Sequence, residues 1–146
     1  MMKFKSFISL GVILCIAQVS LSQSVFGKWK TIDDRNGVEK AIIEVYEKEG
    51  LLFGRVLEIL EEGKEDAVCE KCDDHRKDKP VEGMEIITAA VKTDANEYKG
   101  KHLFDPEQAM TFRCKIWLDP EDEDQLKVRG YLAFIYRTQT WVRVKE

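Results

Sequence analysis

The sequence predicts an all-β fold, an antiparallel up-and-down β-barrel of about eight strands. Three observations support this prediction. Short segments rich in β-branched and aromatic residues alternate polar with apolar side chains, clusters of Asp, Asn, Gly and Pro separate them, and no segment predicts a helix. Antiparallel strands in this number and in sequence order favour a closed barrel, because closure also removes the exposed edges of an open sheet.

Four strands are predicted in the first half of the chain. Turn residues separate them: residues 33–37 follow the first strand, and the pair Glu49-Gly50 connects the second and third tightly. The predicted strands are residues 26–32, 38–48, 51–60 and 84–93.

The second half shows the clearest alternation. Within residues 111–119 every second side chain is apolar, which is the period of a strand with one buried face. The same alternation continues through residues 125–135 and 137–145, so these three segments predict a meander. Residues 101–104 predict a further short strand before them.

Residues 61–83 do not fit a strand and are predicted to form a long loop. The segment is dense in charged residues and contains Cys69 and Cys72. Long loops in compact domains often carry function, which makes this segment a candidate site.

The N-terminus has the pattern of a secretory signal peptide. A basic start is followed by an apolar run over residues 7–19, and Ser20 and Ser22 occupy the −3 and −1 positions of a cut before Gln23. We therefore expect residues 1–22 to be removed and residues 23–146 to form one domain. The domain is expected in the periplasm or the medium, with no transmembrane segment after cleavage.

Composition narrows the range of partners. The chain has 23 Lys and Arg against 27 Asp and Glu, a net charge of −4, and loss of Lys3 and Lys5 with the signal peptide makes the balance more acidic, 21 against 27. An acidic domain lacks the basic footprint of a nucleic-acid binder, and 44% hydrophobic residues exclude a disordered chain. We expect a monomer that does not bind nucleic acid.

Besides two ordinary reduced thiols, the Cys69-x-x-Cys72 spacing leaves three readings open. In an exported protein the first is a local disulfide that pins the loop. A redox pair is the second, and the third is a metal site in which His75 is the third ligand and His102 or Cys114 the fourth. Cys114 itself falls on the apolar face of its strand and is predicted to be a core residue. The prediction adopted is the disulfide, with no bound metal or other cofactor.

A second constellation is the polar and aromatic face of the last three strands. If this face points into the barrel, it forms a pocket for a small acidic ligand; if it points outward, it is a solvated stripe with cation–π contacts. The residues grouped on it are Arg113, Lys115, Trp117, Arg129, Tyr131, Gln139, Trp141 and Arg143. The predicted ligand-binding residues are Trp117, Arg129, Tyr131, Trp141 and Arg143.

The sequence gives no support for catalysis. It contains only two histidines, His75 and His102, and it has neither a nucleophile elbow nor a Gly-rich phosphate loop. We therefore expect a binding protein rather than an enzyme.

Several motifs taken in order resemble an exported bacterial family of unknown function, DUF2147. They are Gly27-Lys28-Trp29, Cys69-x-x-Cys72, residues 77–84, Asp105-Pro106, and residues 112–115, 126–131 and 137–144. The resemblance implies a small secreted lipocalin-like barrel with no established activity.

Two shorter similarities concern individual residues. Gly27-x-Trp29 resembles the first-strand signature of lipocalins, which implies a structural Trp at the barrel floor with Arg143, or else Arg137, packed over it. Arg129-x-Tyr131 resembles the carboxylate-holding pair of fatty-acid-binding proteins, although here it precedes the last strand.

These observations favour an exported, non-enzymatic barrel that binds a small apolar or amphiphilic ligand at its mouth, with the Cys69–Cys72 loop as a lid. One alternative is a structural or interaction module of the cell envelope that presents Trp117 and Trp141 on its outside. The other alternative is a thiol or metal site in the Cys69–Cys72 loop.

Overall fold

The structure, a computed structural model, describes residues 23–145 and consists of eight β-strands. The predicted signal peptide lies outside the described residues. The strands are β1 (Gly27–Ile32), β2 (Glu39–Lys48), β3 (Leu51–Ile59), β4 (Glu85–Asp94), β5 (Glu97–Asp105), β6 (Met110–Asp119), β7 (Asp122–Leu132) and β8 (Ile135–Arg143).

The strands form one closed antiparallel barrel in sequence order, which confirms the predicted fold. The ring closes where β1 pairs with β8, through Trp29 opposite Arg143 and Lys30 opposite Val142. The predicted boundaries hold within a few residues except for β5, which begins at Glu97 rather than at residue 101. Within residues 23–145 there is no helix with the length and hydropathy that a membrane crossing needs.

The connections divide the barrel into two ends. The closed end has the tight hairpins β2–β3, β4–β5 and β6–β7 together with the N-terminal segment. The open end has the four other connections, of residues 33–38, 60–84, 106–109 and 133–134. Left-handed residues shape hairpins at both ends, with Glu49 and Asn96 at the closed end and Ala133 at the open end.

Apolar side chains fill the interior of the barrel. On β6 the predicted alternation is confirmed, because Cys114, Ile116 and Leu118 are buried while Arg113 is exposed. Burial of this apolar side-chain area is the main favourable contribution to folding. The largest fully buried side chains are Trp29, Leu52, Ile87, Ile116 and Leu126.

A second, smaller core lies on the outer side of the barrel wall. Leu103 packs against the main core, so the next side chain along β5, Phe104, points to the outside. Phe104 is nevertheless buried, because Cys69, Cys72 and Met84 of the β3–β4 connection cover it. The long loop therefore packs against the wall and is not a free segment over the mouth.

Gly54 marks a place where the interior has no spare room. A Cβ atom at Gly54 would lie 2.9 Å from Cδ1 and 3.3 Å from Cβ of the fully buried Ile87, closer than unstrained contacts allow. Gly130, which is also on the inner face, differs, because a Cβ there would meet its nearest neighbours, Leu103 and Phe112, only at 3.6 Å.

We predict that Gly54→Ala destabilises the barrel by about 1–3 kcal/mol, because Ile87 must move within a packed core. Gly130→Ala is the matched control and should change the free energy of unfolding by less than about 1 kcal/mol. Urea unfolding followed by tryptophan fluorescence measures both. Equal free energies of unfolding for the two variants would contradict the conclusion that Gly54 is more tightly packed than Gly130.

Candidate functional site

The closed end is built around Trp29 and Arg143. Trp29 is fully buried, and its indole Nε1 donates a hydrogen bond to the Val25 carbonyl oxygen at 2.9 Å. The Arg143 guanidinium lies over the Trp29 ring, with Cζ 4.3 Å from the ring centroid, a cation–π arrangement. Arg143 therefore occupies the place that the lipocalin resemblance assigns to it, and Arg137 does not.

Arg143 also connects three separate segments. Its Nη2 donates to the carbonyl oxygens of Ser24 at 2.8 Å and Glu123 at 3.0 Å, its Nη1 donates to Phe26, and its Nε lies 3.4 Å from an Asp124 carboxylate oxygen. Arg143 and Lys145 both help to lower the pKa of Asp124, with Lys145 contributing most. These contacts fasten the N-terminal segment and the β6–β7 hairpin to β8.

Gly27 gives the first strand its entry into this arrangement. Its φ of 135° lies in a region that side chains of L-residues rarely adopt, and a Cβ atom there would lie 3.4 Å from Nη1 of Arg143. Gly27 and Trp29, which the sequence predicts to be structural residues, both lie in this packed end of the barrel.

Three of the predicted ligand-binding residues lie on the outer wall. Arg129 has its guanidinium 5.1 Å from the Trp117 ring centroid and 4.4 Å from that of Tyr136, and its Nε donates to the Thr138 hydroxyl at 2.8 Å. Tyr131 packs next to Tyr136 with ring centroids 6.0 Å apart. Trp117, Arg129 and Tyr131 thus form the outward-facing cation–π stripe that the sequence analysis describes as the alternative to a pocket.

The other two predicted residues, Trp141 and Arg143, lie on the inside. Trp141 is buried opposite Leu126, and its Nε1 donates to the Gln139 side chain at 3.2 Å. The five residues therefore do not share a pocket, and the interaction surface that needs Trp141 on the outside is not formed. The reason is register: in the β7–β8 hairpin, Arg129 faces Thr138, which places Gln139 and Trp141 on the opposite face.

The open end presents a different set of inward-facing side chains. Leu103 pairs with Phe112, Gly130 pairs with Arg137, and Gln139 follows one step deeper opposite Val128. Leu103, Phe112 and Gln139 are partly exposed even though they face inward, and Arg137 is exposed. An apolar wall and a guanidinium thus border Gly130, which contributes no side chain.

Sequence reasoning missed this group. A glycine within a regularly alternating strand is a signal that could have found it, because such a glycine often marks a close approach or a ligand position. The lipocalin resemblance allows Arg137 a place only at the barrel floor. Instead Arg137 lies at the open end, where it forms an ion pair with Asp34 of the adjacent β1–β2 connection.

The interior below Gly130 is filled. Cys114 is buried at the level of Gly130, and below it Ile116, Val128 and Leu126 are buried. At the same depth a Cβ atom at Gly100 would come within 3.2–3.3 Å of Ala90 and the Cys114 sulfur. Access from the open end therefore stops near the level of Gly130.

The long loop is held in place by a disulfide and by backbone hydrogen bonds. Cys69 and Cys72 are bonded to each other, which supports the first of the three readings of this pair and leaves neither sulfur as a free thiol or metal ligand. The Cys69 amide donates to Lys79 at 2.9 Å, and the Asp78 amide donates back to Cys69 at 3.0 Å. Val81 packs against the main core. The loop is therefore a pinned element rather than a hinged lid.

Arg76 completes the outer core. Its guanidinium stacks on Phe104 at 3.6 Å and is paired with Asp74. Hydrogen bonds from the Arg76 side chain and amide lower the pKa of Asp74 to about 2. In residues 23–145 no three His, Cys, Asp or Glu side chains are grouped so as to hold a metal ion.

Two clefts lie on the outer wall. A cleft of about 210 Å³ is lined by Arg76, Glu85, Thr88, His102, Phe104 and Thr111. A larger cleft of about 370 Å³, here called the cationic cleft, is lined by Lys99, Gly100, Lys101, Arg113, Cys114, Lys115 and Tyr131. Four cations around one aromatic ring make it the most basic part of the described wall.

A closed eight-stranded barrel with a Trp and an Arg stacked at its floor defines a lipocalin-like protein. Residues 27–143 match the family model described as "Uncharacterized protein conserved in bacteria (DUF2147)". The chain therefore belongs to the DUF2147 family, as its motifs predict.

The fold is similar to that of a solved structure, protein HP1028 from the human pathogen Helicobacter pylori, which is stated to belong to the lipocalin family. The TM-score is 0.72 at 14% sequence identity, and the alignment covers 86% of each chain. No curated protein matches this sequence. At this identity the comparison establishes the fold alone.

We predict that Arg143→Lys destabilises the protein by about 2 kcal/mol, since the ammonium group cannot stack on Trp29 and donate to three carbonyl groups at once. Arg129→Lys is the matched control, because Arg129 also lies over a tryptophan but on the outer wall, and we expect a loss below about 1 kcal/mol. Thermal unfolding measures both. A larger loss of stability in Arg129→Lys than in Arg143→Lys would show that the contact of Arg143 with Trp29 is not the stronger of the two.

The thiols give a second prediction. Burial raises the pKa of Cys114 to about 11, so we expect no reaction of the folded protein with Ellman's reagent at pH 8. After unfolding without reductant, Cys114 should be the one thiol of residues 23–146 that reacts. Cys15 should add a second reactive thiol only in protein that retains the N-terminal segment. Further reactive thiols before reduction would contradict the Cys69–Cys72 disulfide.

Proposed function

We propose that this protein is an exported lipocalin-like carrier that binds one small amphiphilic molecule at the open end of the barrel. The observation that supports this most directly is that Leu103, Phe112 and Gln139 face inward near the open end and remain partly exposed. They lie around Gly130, where a Cβ atom would meet Leu103 and Phe112 at the ordinary contact distance of 3.6 Å. Eight-stranded barrels either fill their interior or hold one small ligand, and the accessible surface of these inward-facing side chains is where a ligand would bind.

The charge at the mouth favours an acidic head group. Arg137 presents a planar fork of donors that suits a carboxylate or a phosphate, and its present partner is the exposed carboxylate of Asp34. A ligand carboxylate would replace Asp34 on Arg137. Gln139, one step deeper, provides an amide that can hydrogen-bond the same head group.

The depth of the open part limits the ligand. Buried side chains fill the barrel from Ile116 downward, so a long acyl chain would not fit lengthwise inside. The ligand that suits this shape has a short or compact apolar part, which contacts Phe112 and Leu103, and an acidic group at the rim. We expect no enzymatic step.

We also propose that the protein acts outside the cytoplasm. The N-terminal pattern of residues 1–22 predicts export, and a disulfide such as Cys69–Cys72 persists in oxidising compartments. N-terminal sequencing of protein recovered from the periplasm or the medium tests this, with Gln23 expected as the first residue. Recovery only from the cytosol with Met1 intact would overturn it.

The binding proposal is tested by displacement of a fluorescent fatty acid, with medium-chain and cyclic carboxylic acids as competitors. We predict that Gly130→Leu, which places a large side chain beside Leu103 and Phe112, weakens binding at least tenfold, while Gly130→Ala has little effect. Circular dichroism of both variants checks that the barrel is intact. No binding by the wild-type protein across the panel would overturn the proposal.

Arg137→Gln tests the head-group site separately. The variant should bind acidic ligands about tenfold more weakly and bind the corresponding alcohols with unchanged affinity, because only the charge-assisted hydrogen bonds are lost. Arg35→Gln is the matched control, since Arg35 belongs to the same end of the barrel but pairs with Asp33. An equal effect of both variants would indicate a general charge effect rather than a site.

A further inference from the structure

We propose that the tip of the β7–β8 hairpin inserts into the surface of an anionic lipid bilayer while neighbouring cations of the outer wall contact the lipid head groups. The tip is defined as residues 132–136. The proposal does not depend on the ligand site in the mouth.

The tip exposes consecutive apolar side chains. Phe134, in the two-residue turn, is 91% exposed, and Leu132, Ile135 and Tyr136 are 53%, 64% and 58% exposed. Turns usually carry polar residues, and a protein of this size rarely leaves so many neighbouring apolar side chains in water without a partner. The tip therefore has the composition of an insertion loop.

The residues next to the tip are cationic. Nη2 of Arg113 donates to the carbonyl oxygen of Ala133 in the turn at 3.1 Å, and Arg129 lies 4.4 Å from the Tyr136 ring. Arg113 lines the cationic cleft with Lys99 and Lys101. In the part of the chain that the structure describes, none of Arg113, Arg129, Lys99 and Lys101 forms an ion pair with a carboxylate.

The remaining cations of this wall are already paired. Lys115 is 3.0 Å from Glu97, and Lys127 is 3.8 Å from Asp119. Both carboxylates lie toward the closed end, away from the tip. Of the described cations that form no ion pair, Arg113 and Arg129 are the ones that lie beside the exposed apolar residues.

The spacing of these groups matches a membrane interface. Arg113 is opposite Tyr131, three residues before Phe134, which corresponds to about 10 Å along the strand, and its guanidinium extends toward the turn as far as the Ala133 carbonyl. Interfacial segments bury their apolar side chains by about 5–10 Å. Insertion of Phe134 to that depth would place the Arg113 guanidinium among the phosphates and Tyr131 and Tyr136 at the level where aromatic residues concentrate.

The charge distribution also fixes the orientation. In a ring of eight strands in sequence order, the β3–β4 connection lies across the barrel from the β7–β8 hairpin. That connection carries Glu61, Glu62, Glu65 and Asp66 at its start. An anionic surface would repel this side and attract the side with the tip, so the barrel would bind tilted rather than with its mouth flat on the lipid.

Cosedimentation with vesicles tests the proposal. We expect the mature protein to bind vesicles of phosphatidylcholine with 30% phosphatidylglycerol, to bind pure phosphatidylcholine at least tenfold more weakly, and to dissociate as salt is raised. Absence of binding to the anionic vesicles at low salt would overturn the proposal.

Variants assign the binding to the tip. Phe134→Ser should weaken binding at least tenfold and Arg113→Gln about fivefold. Val91→Ser is the matched control, because Val91 is another exposed apolar side chain, on β4, and it should have no effect. Gly130→Leu should also bind vesicles like the wild-type protein, which would show that lipid binding by the tip does not require the ligand site in the mouth. Wild-type binding by Phe134→Ser would overturn the role of the tip.

Two further measurements distinguish insertion from other uses of the same tip. In Phe134→Trp, the emission of the introduced tryptophan is obtained by subtracting the wild-type spectrum from that of the variant. This emission should shift to shorter wavelengths when anionic vesicles are added, and lipids with brominated acyl chains should quench it. Analytical ultracentrifugation without lipid should give one monomeric species. Association between copies that Phe134→Ser abolishes would assign the tip to a second copy of the chain and overturn the lipid proposal.

Discussion

The stacking of Arg143 on Trp29 is the contact on which the barrel most depends. The β1–β8 seam closes the ring with only two paired positions, whereas the other strand pairs are joined over longer registers. Arg143 compensates at this short seam, because it covers Trp29 and donates to carbonyl groups of the N-terminal segment and the β6–β7 hairpin. Once this end is closed, every strand has a defined inner and outer face.

Closing one end determines where function can lie. Large side chains such as Leu126 and Ile116 fill the barrel from the floor upward, and the inward-facing side chains of Leu103, Phe112 and Gln139 near the open end are partly exposed. The disulfide loop contributes to this arrangement from outside the wall, where it buries Phe104 under Cys69 and Cys72. The part of the molecule that is available to a ligand is consequently the rim around Gly130 and Arg137.

The open end combines two surfaces with different chemistry. Its interior offers an apolar wall and one guanidinium, and its β7–β8 hairpin projects Phe134 beside Arg113. A carrier whose ligand opening is placed next to a lipid surface would exchange amphiphilic molecules with that surface without a long path through water. The acidic β3–β4 connection on the far side keeps the rest of the mouth away from anionic lipid.

The sequence by itself determined the fold. A local pattern was sufficient to predict features that depend only on neighbours in the chain. These features are the alternation of apolar side chains on β6, the tight turn at Glu49-Gly50 and the Gly27-x-Trp29 opening. The Cys69–Cys72 pairing is equally local, since three residues separate the two cysteines.

Only the tertiary structure decided which side chains share a surface. The grouping of Trp141 and Arg143 with Arg129 failed because polarity was used to assign faces, whereas the register of the β7–β8 hairpin assigns them. A shift of one residue in register moves a side chain from one face of the barrel wall to the other. Arg143 is charged, so its polarity predicts an outward position, whereas in the structure it covers Trp29 at the barrel floor. The partial exposure of Leu103 and Phe112 around Gly130 and the exposure of Phe134 likewise depend on residues of neighbouring strands, which no pattern within one segment contains.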